Sequence, residues 1–228
     1  RLLSEKGYSK VKVFLAKLSD NSSADYLQNL ERLPKCIPIL EDLRELSPSK
    51  DDVVIDALLG SGLNKPIKGT LEKVGVLINT SKAKVISVDV PTGFKSEGEL
   101  DEIYSGIKAD LVISFQLPKI NFFFPESAKA LKNFNVVPIG LNEQYMQSLP
   151  SNWHLIDEDF IRKTLRSRER FSHKGTYGHA LIVAGNTATM GAALLSTSAC
   201  LHAGVGLVSA CIPQSGLTAL NVSLPEAM

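Results

Sequence analysis

Cysteine is scarce in this 228-residue chain, with only Cys36, Cys200 and Cys211, far apart and odd in number. A disulfide framework and a CxxC metal site are both excluded by that spacing, and a reducing compartment is expected. Long apolar runs are also missing. No stretch approaches the roughly 20 apolar residues that span a bilayer, and Leu117 to Pro125 is interrupted by Lys119 and Asn121. The opening residues carry no signal-peptide pattern, and it is the few, odd-numbered cysteines that make a reducing cytoplasm the expected location. A surplus of charge is lacking too: the formal net charge is +1, which argues against a general attraction for nucleic acid or an anionic membrane. The one local excess, Arg162, Lys163, Arg166, Arg168 and Arg170, reads as a solvated helix face or linker.

What is present is a soluble globular composition, 44% hydrophobic and 21% charged. Two apolar strands end alike: Val53-Val54-Ile55 runs into Asp56 and a glycine loop, and Val85 to Val88 runs into Asp89 and Pro91-Thr92-Gly93. An acid at the tip of an apolar strand, followed by glycines that expose backbone amides, is how open α/β sheets build sites. Strands are expected at Val11 to Leu15, Val53 to Ile55, Val85 to Val88, Ala109 to Phe115 and Asn135 to Ile139. Helices are expected at Ala24 to Leu33 and Thr70 to Thr80. Such alternation predicts a parallel sheet covered on both faces. Composition changes near residue 150. A short helix at Asp157 to Leu165, a strand at His179 to Ala184, a small-residue helix at Met190 to Ala203 and a strand at Gly206 to Ile212 then predict a fresh βαβ unit.

In the loop Asp56 to Pro66, Gly60 and Gly62 permit close backbone approach, and Asn64 and Lys65 offer hydrogen-bond donors. Phosphate is the obvious ligand, although the spacing of a P-loop is absent. The plain alternative is a tight βα turn. Asp89, beside the Pro91-fixed turn and the Thr92 hydroxyl, can act as acid or base, bind a ribose hydroxyl, or simply cap the next turn. Oxygens from Asp56 and Thr92 suit a hard cation. Further on, the loop from Gly185 to Gly191 opens a helix, where an anion would be favoured, while the small residues along that helix read mainly as close packing.

The segments VIDALLGSGLNKPIKG, VISVDVPTG, ADLVISFQLPKINFFFPESA and VVPIGL, in that order, resemble the epimerase domain of bifunctional NAD(P)H-hydrate repair enzymes. The resemblance implies a Rossmann-like α/β unit that interconverts R- and S-NAD(P)HX and binds potassium. It implies Asp56 and Thr92 as potassium ligands, and Gly60, Ser61, Gly62, Leu63, Asn64, Lys65 and Pro66 as the substrate loop. Asp89 would be a substrate contact, and we assign it the acid/base role. HKGTYGHALIVAGN, MGAALLSTSACLHAGVGLVSACIP and LPEAM resemble the opening of the ADP- or ATP-dependent dehydratase domain, with a ribokinase-like α/β fold, magnesium-bound nucleotide and a substrate contact at Ala192.

The expected layout is therefore an epimerase domain over residues 1–145, a linker and entry helix over 146–172, and the start of the dehydratase domain over 173–228. The family's Asn-Asn-Gly-Gly-Asp-Gly motif would lie before Arg1 and its Gly-Ala-Gly-Asp segment beyond Met228. Leu71 stands where many members have tyrosine. The chain is expected to open in mid-helix, to close without a terminal helix, and to lack sequence at both ends. The full-length enzyme is expected to be a homo-oligomer with NAD(P)HX as its small-molecule partner. Two other classes are kept: a non-catalytic nucleotide- or partner-binding fragment, and a ribokinase-like small-molecule kinase.

Overall fold

A computed structural model describes residues 1–16, 22–62 and 66–228. It separates into two compact units, Arg1–Pro150 and Ser151–Met228.

The first unit opens with helix α1 (Leu2–Glu5), stopped at Gly7 by a positive φ of 92°. A small parallel pair follows, β1 (Val13–Phe14) on β2 (Ile39–Leu40), with α2 (Ala24–Glu31) between them in sequence. Ser23 caps α2 by accepting a hydrogen bond from the Tyr26 amide.

The body of the unit is a four-stranded parallel sheet in the order β3 (Val53–Asp56), β4 (Lys84–Val88), β5 (Leu111–Phe115), β6 (Phe134–Val137). Helix α3 (Thr70–Ser81) crosses from β3 to β4. Its buried residues Val74 and Ile78 lie four apart, on one face, and pack with Val85 and Ile107. Beyond β4 the core is built by loops as much as by helices. Val90, Phe94, Ala109, Val112, Phe122, Ala130 and Leu131 form one cluster, in which the Phe122 ring lies 5.6 Å from Phe94 and 4.9 Å from Phe134.

Among the described residues burial is uneven over the two faces of this sheet. On β3 the alternate residues Val53 and Ile55 stay 58% and 49% exposed. The apolar runs pointed to cover on both faces, but among the described residues that side of β3 remains open.

The second unit contains α5 (Glu158–Thr164), after the short α4 (Glu143–Ser148) that ends the first. Asp157 caps α5 at the Phe160 amide, and Arg162 pairs with Glu158 one turn back. Arg168 stacks over Tyr177 and Arg170 over Phe171, so members of the basic run serve local packing. A βαβ unit follows: β7 (His179–Val183) and β8 (Leu207–Cys211), parallel, joined by α6 (Gly191–His202). Ala193, Thr197, Val208 and Leu220 are buried. The expected absence of a terminal helix is corrected: Leu217–Ser223 forms α7, one of whose residues, Leu220, is fully buried. Leu217, Ala219, Leu220 and Val222 are spread over seven residues without a clear single-face period, a weak helical signal, and burial of Leu220 decided the matter. After α7 the Met228 backbone exchanges hydrogen bonds with Val208 and Ala210 of β8.

Candidate functional site

The carboxyl ends of β3 and β4 stand side by side in the sheet, with Asp56 directly opposite Ser87. Asp56 is 2% exposed, Thr92 and Ser87 fully buried. The Asp56 carboxylate accepts four hydrogen bonds. The Ser87 hydroxyl (2.7 Å) and the Thr92 amide (2.8 Å) reach Oδ2, while the Thr92 hydroxyl (2.6 Å) and the Leu58 amide (3.4 Å) reach Oδ1. Thr92 Oγ1 accepts in turn from the Leu59 amide at 3.1 Å. A carboxylate has about four acceptor positions, and all are used. No lysine or arginine pairs with it among the described residues, so a buried carboxylate is held by hydroxyl and amide dipoles alone.

Just behind lies Tyr104, whose hydroxyl donates to the Ile107 carbonyl at 2.8 Å. Burial, and secondarily the negative charge of Asp56, pushes its phenol above the ordinary tyrosine range. Gly93, with φ 97°, allows the turn after Thr92 to touch the next loop. A Cβ there would stand 2.7 Å from the Gly106 Cα.

Asp89 has a different setting. It is not in the β4 ladder but two residues past Ser87, with φ 65°. The Val90 amide donates to the Val88 carbonyl at 2.9 Å across it, which makes Asp89 the centre of a positive-φ γ-turn, a rare and strained form. The neighbouring strand ends the same way: Gln116 has φ 59°, and the Leu117 amide bonds the Phe115 carbonyl at 2.6 Å. One carboxylate oxygen of Asp89, Oδ1, accepts from the Phe115 amide (3.2 Å) and pairs with Lys119 Nζ (2.9 Å). Both side chains of the pair are mostly shielded, 14% and 19% exposed. The other oxygen, Oδ2, carries no hydrogen bond among the described residues and faces the glycine loop. A Cβ on Gly60 would stand 4.0 Å from it.

Of the residues expected in this site, Gly60 is therefore placed beside Asp89. Gly60, Ser61, Gly62 and Pro66 are all exposed, and the Ser61 carbonyl accepts from Ser96 Oγ at 3.4 Å. Leu63, Asn64 and Lys65 lie outside the described residues. Ala192 is exposed in the first turn of α6, in the second unit. There the Asn186 side chain folds the preceding loop by accepting from the Ala188 and Thr189 amides, each at 2.9 Å.

Lys119, Ser87 and Tyr104 were not anticipated. Ser87 had a signal, being the one polar residue in the apolar run Val85 to Val88. Lys119 had none, because it lies 30 residues after Asp89 in a loop and only the parallel pairing of β4 with β5 brings the two together. No cluster of three or more His, Cys, Asp or Glu side chains occurs among the described residues.

Residues 1–121 match the protein family described as YjeF-related protein N-terminus. The chain is 34% identical over its whole length to the "Bifunctional NAD(P)H-hydrate repair enzyme Nnr" of Thermofilum pendens, covering 44% of that protein. Proteins of the same name match at 29% in Dictyoglomus turgidum, over 99% of this chain and 44% of that one, and in Coxiella burnetii, over 100% and 46%. The chain thus spans less than half the length of these curated relatives.

Proposed function

Since the chain belongs to the family of YjeF-related protein N-termini, we propose that its first unit acts on hydrated NAD(P)H as an epimerase, interconverting R- and S-NAD(P)HX. The observation that carries this reading is Asp89. It is held in a strained γ-turn with one oxygen fixed by Lys119 and Phe115, and the other open beside Gly60. Strain kept at a solvent-reachable carboxylate is a signature of function. In this reading the glycine loop from Gly60 to Pro66, including Leu63, Asn64 and Lys65, lies against the substrate. Asp89 Oδ2 accepts the proton of the ring hydroxyl as the adjoining C–N bond breaks, leaving an aldehyde and the bond's electron pair on nitrogen. Nitrogen then re-forms the bond on the other face of the aldehyde and the proton returns to its oxygen. The fixed oxygen keeps the open one aimed.

Asp56 and Thr92 fit a potassium ion by donor type. They would hold it through carboxylate and hydroxyl oxygen once the Thr92 hydroxyl turned its proton away from Asp56 Oδ1, since every acceptor position of Asp56 is otherwise filled. When bound it supplies positive charge beneath the loop. The second unit, on the same premise, is the opening part of the ADP- or ATP-dependent, magnesium-using dehydratase domain that returns S-NAD(P)HX to NAD(P)H. Its ribokinase-like identity is inferred from the resemblance of its sequence segments, and the βαβ start is compatible with it. The domain limits 1–145, 146–172 and 173–228, Ala192 as a substrate contact, cytoplasmic location and a homo-oligomeric full-length enzyme are parts of the same proposal.

The test is chiral separation of R- and S-NADHX after incubation with the protein in potassium or lithium buffer, for the wild type and Asp89→Asn. Potassium-dependent racemisation lost in Asp89→Asn is the expected result. An unchanged rate in the variant removes Asp89 from the acid/base role. Binding of NADHX without any turnover by the wild type replaces the epimerase with the non-catalytic nucleotide-binding reading, and phosphoryl transfer to a sugar would replace the dehydratase half with a small-molecule kinase.

A further inference from the structure

The four strands β3 to β6 run parallel, so all of them start at one edge of the sheet, the edge opposite Asp56 and Asp89. That edge holds a cleft of about 580 Å³. Each strand is entered beside it by lysine: Lys50 before β3, Lys82 and Lys84 at β4, Lys108 before β5, and Lys129 and Lys132 before β6. The only acid in the lining is Asp110, so six lysines less one aspartate leave +5 on the wall of one cleft, in a chain whose formal total is +1.

Two of the six are engaged. Lys132 pairs with Asp110 at 2.6 Å, and Lys129 donates to the Asp101 and Glu102 carbonyls. Asp110 is committed twice, since it also accepts from the Val85 amide at 2.8 Å. The ammonium groups of Lys50, Lys82, Lys84 and Lys108 have no hydrogen-bond or ion-pair partner at bonding distance among the described residues, although Lys84 adds to the positive field that lowers the Asp110 carboxyl after the Lys132 and Val85 hydrogen bonds, and all four residues are exposed. Lys82 ends α3 and offsets the negative end of that helix, which accounts for one cation and leaves three. Like charges gathered on one wall repel one another, and a single aspartate among six lysines offsets only part of that repulsion.

The rest of the wall selects among anions. Ile78, Ala83, Val85, Ala109, Ala130 and Leu131 are apolar and concentrate the field of the ammonium groups. Among the described residues no aromatic side chain lines the cleft, so they offer no platform on which nucleic-acid bases could stack. No arginine lines it either, so recognition is by charge density rather than by a bidentate fork. Its volume lies within the roughly 300–1,000 Å³ of small-ligand sites. We infer that this cleft is a second binding site, on the far edge of the sheet from the candidate catalytic carboxylate, for a small soluble oligophosphate anion.

Titration calorimetry with inorganic tripolyphosphate at low salt tests this on the 228-residue chain, with folding of each variant checked by thermal unfolding. Lys84→Gln with Lys108→Gln is expected to weaken binding about tenfold, the loss of roughly 1.4 kcal/mol from two ammonium contacts. Lys6→Gln with Lys10→Gln, an equal change of net charge on exposed residues outside the cleft, is expected to weaken it less than about twofold. Lys50→Gln with Lys82→Asn provides a second cleft pair should the first fail to fold, with the same expectation. Asp89→Asn should bind tripolyphosphate as the wild type does, which separates this site from the epimerase reading. Absence of binding by the wild type, or equal losses in the cleft and remote pairs, overturns the proposal. So does tighter binding of an oligonucleotide of about 16 nucleotides than of tripolyphosphate, which would make the surface a nucleic-acid site.

Discussion

Asp56 and Asp89 look alike in the sequence and differ in almost every physical respect in the fold. Both follow an apolar strand and precede a turn. Asp56 is the last ladder residue of β3, sealed from solvent, with every acceptor position filled by Ser87, Thr92 and Leu58. Asp89 lies beyond the end of β4, turned aside by its positive φ, with one oxygen committed and one open. The difference comes from register. Ser87, not Asp89, stands opposite Asp56, so the second acid lies two residues beyond that level, one past the end of β4, and is held by β5 instead. A carboxylate used as a knot for two strand ends is a poor proton carrier, and one left half-bound over a glycine loop is a good one.

That contrast can be broken most forcefully at Asp56. Asp56→Ala leaves the Ser87 hydroxyl and the Thr92 amide buried without an acceptor, and is expected to cost about 4 kcal/mol in urea unfolding. A loss under about 1 kcal/mol would show that the knot is not structural. At Asp89 the expectation reverses. Asp89→Asn keeps a residue type that tolerates positive φ, so stability should change by under about 1 kcal/mol while NADHX epimerisation falls by about 100-fold or more.

Lys119→Met sharpens the assignment of the two Asp89 oxygens. Releasing Oδ1 should lower the epimerisation rate about tenfold and leave KM near its wild-type value, because aim rather than binding is lost. A rise in KM with unchanged kcat would instead make Lys119 a substrate contact. The smallest effect is a pH effect on the Asp56 side. The Tyr104 phenol is raised in the folded state, so its stabilising contribution is whole below the unfolded value near pH 10 and declines as pH rises above it. Tyr104→Phe should flatten that alkaline decline in unfolding curves taken from pH 8 to 11. An identical decline in both proteins would place its origin elsewhere.

Much of the architecture was legible in advance because its signals are local. Val53 to Asp56, Lys84 to Val88 and Leu111 to Phe115 are short β-prone runs between turn residues, and α3 shows its buried face at Val74 and Ile78. Helix α7 was not legible, because seven residues carry too little periodicity and its one fully buried contact, Leu220, depends on the core it meets. Within the site, Asp89 and the glycines could be found from their types and order. Lys119, Tyr104 and the ring of lysines at the opposite edge could not, since each is separated from its neighbours by a strand crossover.

The sequence by itself determined the two acid-tipped strands, their glycine loops and the alternation that makes a parallel sheet, because these follow from residue type and short-range spacing. Which acid would be buried and which left open was decided only in three dimensions. Strand register places Ser87 opposite Asp56 and sends Asp89 past the sheet to Lys119. Hydrogen bonding and burial depend on distances that chain order does not carry.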